Sequence, residues 1–122
     1  MVKINNNGII QPEEGEIVYF YYEEAKKRKL AVNLEPYNLH KHKETFNGVL
    51  ITSQNVENIY PGDYELICDE LHKDSKVICD QPVPLPKQEI SKSFGNVSEK
   101  DLREIRIRAA RSLGINYDGT TG

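Results

Sequence analysis

Gly48-Val-Leu-Ile-Thr-Ser-Gln54 is an apolar run that opens on a glycine and ends in three hydroxyl and amide side chains. Val49, Leu50 and Ile51, bounded by Asn47-Gly48 and Asn55, predict a buried core strand. Thr52, Ser53 and Gln54 then sit where that strand emerges, which places polar chemistry at its tip. A second stretch belongs with it. Lys26-Lys27-Arg28-Lys29, the densest basic cluster, runs directly into the apolar Leu30-Ala31-Val32, so if the two strands are neighbours Arg28 lies near Thr52.

Outward from this pair, Glu16-Ile-Val-Tyr-Phe-Tyr-Tyr22 is β-branched and aromatic and reads as a strand. Glu23 to Lys29 is expected to turn, and Leu30 to Leu34 to return as the second strand of a hairpin that Pro36 ends. Tyr37 to Asn47 reads as a mobile basic loop. Tyr64 to Cys68 and Lys76 to Cys79 are short strands, and alternation points Tyr64, Leu66 and Cys68 to one face. Pro82, Pro84 and Pro86 then confine the chain to an edge or a wrap.

Ser98-Glu-Lys-Asp101 has the form of a capping box and opens a helix that Gly114 closes. On it Leu102, Ile105, Ala109 and Leu113 form one stripe, with Glu104, Ile107 and Arg111 turned away. Several short strands followed by one helix favour a mainly β fold, a small barrel or half-open sheet with a C-terminal helix. The chain divides into a flexible lead-in over 1–11, one domain over 12–115 and a tail over 116–122.

The bulk numbers agree with one globular domain: 122 residues, 38% hydrophobic and 29% charged. Sixteen Lys and Arg against nineteen Asp and Glu give a net charge of −3, which lacks the global basic footprint of a duplex binder. The charge is blocked, however. Residues 25–43 hold six basic side chains against Glu35 alone, while 57–80 hold seven acids against Lys73 and Lys76. With no span-length apolar run and no signal-peptide core, a cytoplasmic protein is expected, with no membrane partner.

Cys68 and Cys79 form no Cys-x-x-Cys; they read as buried thiols that a hairpin turning near Lys73-Asp74 would bring face to face. His40-x-His42 lacks a third ligand, so no metal and no other cofactor is expected. Gly-x-Ser-x-Gly, His-Glu-x-x-His, phosphate-cradling and dinucleotide glycine motifs are all absent. What remains is an arginine beside a hydroxyl. That pair suits a phosphate, guanidinium for charge and Thr52 or Ser53 for a hydrogen bond, or else is a surface pair without function.

Taken in order, Gly15-Glu-Ile-Val18, Arg28 leading into Leu30-Ala-Val32, Ile51-Thr-Ser-Gln54, Asp74-Ser75, Val77-Ile-Cys-Asp-Gln81, Phe94-Gly95 and the final helix resemble the MazF/PemK toxins of bacterial toxin–antitoxin pairs. The resemblance spans roughly Glu14 to Ile115. It implies an SH3-like barrel, a homodimer, metal-independent cleavage of single-stranded RNA or mRNA, and a partly disordered cognate antitoxin.

Residue by residue, Arg28 corresponds to the family's catalytic arginine and Thr52 to the threonine that polarises the scissile phosphate. Lys26, Lys27, Lys29, Ser53, Gln54 and Gln81 are the expected RNA-binding residues. Lys29 stands where the family usually has proline, and Val83 where it often has arginine. His40 and His42 are the available guesses for a general base, and an acidic antitoxin segment is expected over a groove formed by 26–29 and 40–43. The alternatives are a non-catalytic RNA- or peptide-binding barrel, or a CcdB-like topoisomerase poison of the same fold.

Overall fold

The computed structural model describes residues 2–68, 71 and 73–117. Strands β1 (Glu16–Tyr22), β2 (Lys27–Asn33) and β3 (Thr45–Thr52) form its centre. Between β2 and β3 lies the one-turn helix α1 (Tyr37–His40). Then follow β4 (Asp63–Leu66), β5 (Ser75–Ile78), β6 (Val83–Pro86), β7 (Ile90–Asn96) and the helix α2 (Glu99–Ser112). All pairings are antiparallel, in the order β4-β5-β3-β2-β1-β7, with β6 also on β3.

β5 and β6 share one edge of β3 in succession: Ile51 faces Val77, and Gly48 faces Val83. The β5–β6 stretch opposite β3 thus carries extra residues between these two points, and they bulge out as the turn holding Asp80 and Gln81. The proline run is accordingly an edge strand, where a missing N–H costs no ladder bond.

The apolar run of β3 is continuous because both faces of the sheet are covered. On one face Ile17, Val32, Val49, Ile51, Leu66 and Val77 pack with Ile105 of α2; on the other Val18, Phe20, Ala31, Phe46 and Leu85 form a second cluster. Gly48 sits at the crossing. A Cβ there would lie 2.9 Å from the Val32 carbonyl oxygen and 3.1 Å from Leu85.

The Ser98 hydroxyl accepts from the Asp101 amide at 3.0 Å, as the capping box predicts, but the Asp101 carboxylate turns outward to accept from the Tyr64 hydroxyl at 2.5 Å. At the other end Gly114 has φ +77°, and its amide and that of Ile115 bond back to Arg111 and Ala110, a Schellman closure. That closure carries Leu113 off the expected stripe: it is 68% exposed, while Ile105 and Ala109 are buried. Ile107, expected outside, is half-buried.

Several loop expectations change. β2 begins at Lys27, because the ladder with β1 continues to the pair Tyr22–Lys27; only a single 3-10 turn, Glu23–Ala25, closes the hairpin. Tyr37 to Asn47 is no mobile loop, since β3 already starts at Thr45 and His40 is fully buried, its Nε2–H donating to the Pro12 carbonyl at 2.6 Å. Residues 2–11, expected as a flexible lead-in, double back through an Ile4–Ile10 bridge and end on the buried Gln11.

Cys68 and Cys79 do not face each other. The register pairs Asp63 with Ile78 and Leu66 with Ser75, so the two thiols lie beyond opposite ends of the β4–β5 ladder and form no disulfide with each other. β7 has no counterpart in the sequence reading, and of the tail expected over 116–122 residues 118–122 lie outside the described residues.

Candidate RNA-binding and catalytic cleft

Because Leu30 pairs with Ile51, extending the register sets Lys29 across from Thr52 and Arg28 beside Ser53. A cleft of about 380 Å³ opens over these strand ends, lined by Lys27, Arg28, Lys29, Thr52, Ser53 and Gln54 together with Tyr19, Leu71, Lys73 and Ser75. A neighbouring cleft of about 450 Å³ shares Lys29, Thr52 and Gln54 with it and adds Gln81. Of the expected site residues, only Lys26 lines neither. It occupies the left-handed position (φ 52°) that closes the 3-10 turn.

The Arg28 guanidinium is exposed and held from one side. Its Nη1 donates to the Ser91 hydroxyl at 3.3 Å, Ser91 donates on to the Tyr19 carbonyl at 3.3 Å, and the guanidinium lies 5.9 Å from the centre of the Tyr19 ring. No carboxylate pairs with it among the described residues. The Thr52 hydroxyl oxygen accepts from the Gln54 amide at 3.1 Å, which orients it while leaving its own hydrogen free to donate.

Lys27 and Lys29 project from the same side of β2. Burial, and then the charge and hydrogen bonding of Lys27, push the Lys29 ammonium below its ordinary pKa. An anion between them would relieve that repulsion. The chemistry on offer is therefore one unpaired guanidinium, one oriented hydroxyl and flanking ammoniums, an arrangement for a phosphodiester.

Neither histidine proposed as a base reaches this cleft. His40 is sealed under the N-terminal segment, where burial and then the Lys87 charge lower its pKa against the opposing Pro12 bond. His42 lines a separate cavity with Lys41 and Lys43, so the stretches 26–29 and 40–43 do not form one groove. No group of three or more His, Cys, Asp or Glu converges as a metal site among the described residues.

Sequence reasoning missed Tyr19 and Ser91, which support Arg28, and the buried Lys76, whose Nζ donates to Asp63 at 2.8 Å and to the Asn58 carbonyl at 2.9 Å. Lys76 pairs with Thr52 across the β3–β5 ladder. A lysine reads as surface in a sequence, so no local signal marked it.

No curated protein matches this chain in sequence. Among solved structures the fold is similar to a mycobacterial endoribonuclease in complex with its cognate antitoxin (TM-score 0.74, 17% identity, covering 87% of this chain and 98% of that one). It is similar also to a MazE–MazF complex from Deinococcus radiodurans (TM-score 0.72, 20% identity, covering 85% and 96%). The Mycobacterium tuberculosis toxin MazF-mt6 follows at TM-score 0.65 and 12% identity, covering 84% and 99%. At these identities the likeness establishes the fold, a small MazF-type β-barrel with a C-terminal helix. Residues 13–113 match the family described as PemK-like, MazF-like toxin of type II toxin-antitoxin system, and a match over that much of the sequence makes this chain a member of that toxin family.

Proposed function

We propose that this toxin is a metal-independent endoribonuclease that cleaves single-stranded RNA. The observation that carries the reading is the unpaired Arg28 guanidinium and the oriented Thr52 hydroxyl lining one cleft at the ends of adjacent strands. In the reaction the ribose 2′-hydroxyl gives its proton to solvent as its oxygen attacks phosphorus, the bond to the 5′-oxygen breaks and that oxygen takes up a proton from solvent, and a 2′,3′-cyclic phosphate results. Charge grows on the phosphoryl oxygens as the pentavalent state forms, and Arg28 and the Thr52 hydroxyl are the donors placed to meet it. Lys27, Lys29, Ser53, Gln54 and Gln81 hold the flanking RNA.

The protein acts in the cytoplasm as a homodimer restrained by a cognate antitoxin. Support for the dimer is an apolar groove beside α2, lined by Leu34, Pro82, Ala110, Leu113 and Ile115, with Leu113 68% and Ile115 53% exposed. Support for the antitoxin is the family itself, together with relatives solved as antitoxin complexes. Sedimentation should give a dimer at tens of micromolar; a monomer there overturns the assembly.

The direct test is incubation with single-stranded RNA in excess EDTA. Fragments ending in 2′,3′-cyclic phosphate are expected, and one deoxyribose at the cut site should block cleavage there. Described residues of the Arg28 cleft include no carboxylate or imidazole to serve as base, which favours a second reading, a barrel that binds RNA without cutting it. RNA bound but left intact would establish that reading instead.

A further inference from the structure

The cleft adjoining the Arg28 cleft is built unlike a phosphate groove. Its rim carries the Tyr60 ring, 60% exposed, and the carboxylate of Asp80, beside the amides of Gln54, Asn55 and Gln81. Asp80 is exposed and has no ion-pair partner among the described residues. A carboxylate repels RNA phosphates, and in a groove shared with Lys29 and Thr52 it is suited instead to a group that donates hydrogen bonds.

The loop bearing these groups is fixed from beneath. Buried Lys76 holds the Asn58 carbonyl at 2.9 Å and Asp63 at 2.8 Å; Asp63 in turn accepts from the Tyr60 amide at 3.1 Å. The same ammonium lies 4.8 Å from the centre of the Tyr60 ring, covering one face of it. The Gly62 carbonyl accepts from the Cys79 amide at 2.9 Å, and a Cβ on Gly62 would lie 2.4 Å from the Asp80 carboxyl carbon, so only glycine lets Asp80 rest against this turn. Tyr60 and Asp80 thus both line, on a turn set by the fold, one cavity of about 450 Å³, room for a nucleobase with its ribose.

We propose that this cavity is a base-reading subsite next to the scissile phosphate, in which Tyr60 stacks on a guanine and Asp80 accepts from its Watson–Crick edge. Single-stranded RNA offers splayed bases for stacking on aromatic rings and for edge recognition. Guanine alone among the four bases presents two adjacent donors, N1–H and the 2-amino group, to match the two oxygens of a carboxylate, which only accepts. The amides of Gln54, Asn55 and Gln81 both donate and accept; they hold a base without choosing it. The assignment rests on the ribonuclease reading for its substrate class, and not for its geometry.

The test reads binding and cutting separately. A 2′-O-methyl RNA library, which cannot be cleaved by 2′-oxygen attack, is selected on the wild-type protein and on the Tyr60→Ala, Tyr60→Phe and Asp80→Asn variants. Wild type should enrich guanine at one position, and inosine there, lacking the 2-amino group, should bind roughly fivefold or more weakly. Asp80→Asn should erase both effects. Tyr60→Ala should weaken all sequences by roughly fivefold or more while Tyr60→Phe does not. No guanine enrichment, or enrichment unchanged in Asp80→Asn, overturns the subsite even if the protein cuts RNA. Guanine selection by a protein that leaves unmodified RNA intact keeps the subsite and overturns only the nuclease.

Discussion

Lys76 Nζ lies 2.8 Å from Asp63 Oδ2, both side chains buried, at the ladder position that faces Thr52. This ion pair joins β4 to β5 and, through the Asn58 carbonyl, anchors the loop that runs from the end of β3 to β4. Its geometry makes the cleft a property of the core rather than of a free loop.

Removing one partner should therefore be far worse than removing both. Lys76→Met leaves Asp63 as an uncompensated buried charge and should destabilise the protein by about 3–5 kcal/mol, while Lys76→Met with Asp63→Leu should recover most of that loss. Urea unfolding of the three proteins decides it; equal stability of single and double variants would refute the argument.

If, as proposed, the guanidinium meets charge that develops in the transition state, Arg28→Ala should lower the single-turnover cleavage rate by roughly a hundredfold or more, while RNA affinity falls much less. Thr52→Val should act in the same direction with a smaller effect. Normal cleavage by Arg28→Ala would move the site elsewhere.

Gly48→Ala places a methyl group 2.9 Å from the Val32 carbonyl oxygen, between two strands that both pair with β3. Overpacking of this kind costs about 1–3 kcal/mol. A thermal melt should show the loss, and an unchanged melting temperature would mean that β3 can shift where the packing says it cannot.

Stability should fall at alkaline pH. Burial pushes the Cys79 thiol up to about 12 from 9.0, and burial followed by the Asp101 hydrogen bond pushes the Tyr64 hydroxyl up to about 12 from 10.0. Both groups are neutral in the fold and ionise more readily unfolded, so their contribution is complete below pH 9 and is lost as pH rises toward 12. Urea midpoints between pH 8 and 11.5 should drop by on the order of a few kcal/mol equivalent, and Cys79→Ala should flatten part of the slope. A flat wild-type profile would show that neither group is sealed as described.

Local sequence determined the elements whose burial is strong and regular. β1 and β3 are dense in β-branched and aromatic residues, α2 has its own cap and its own closing glycine, and the placing of Arg28 and Thr52 near one another at adjacent strand ends follows once Leu30-Ala-Val32 and Val49-Leu-Ile51 are taken as neighbours. Tertiary structure decided what depends on partners distant in the chain. Ile90-Ser-Lys-Ser-Phe-Gly-Asn96 is too polar to announce a strand and becomes one through its ladder with β1. Lys27-Arg-Lys29 resembles a turn, yet the same hairpin register continues through it.

The buried polar groups were the least legible. His40 reads as a loop histidine until the Pro12 carbonyl, 28 residues away, accepts its hydrogen bond; Lys87 is 3% exposed because Gln11, 76 residues away, and the His40 carbonyl take its hydrogen bonds at 2.7 Å. Lys76 is hidden by the same logic. Hydrophobic periodicity reports only how often a side chain avoids water, whereas a buried charge is stabilised by groups that the fold brings to it, and nothing in the residues beside it records that they will arrive.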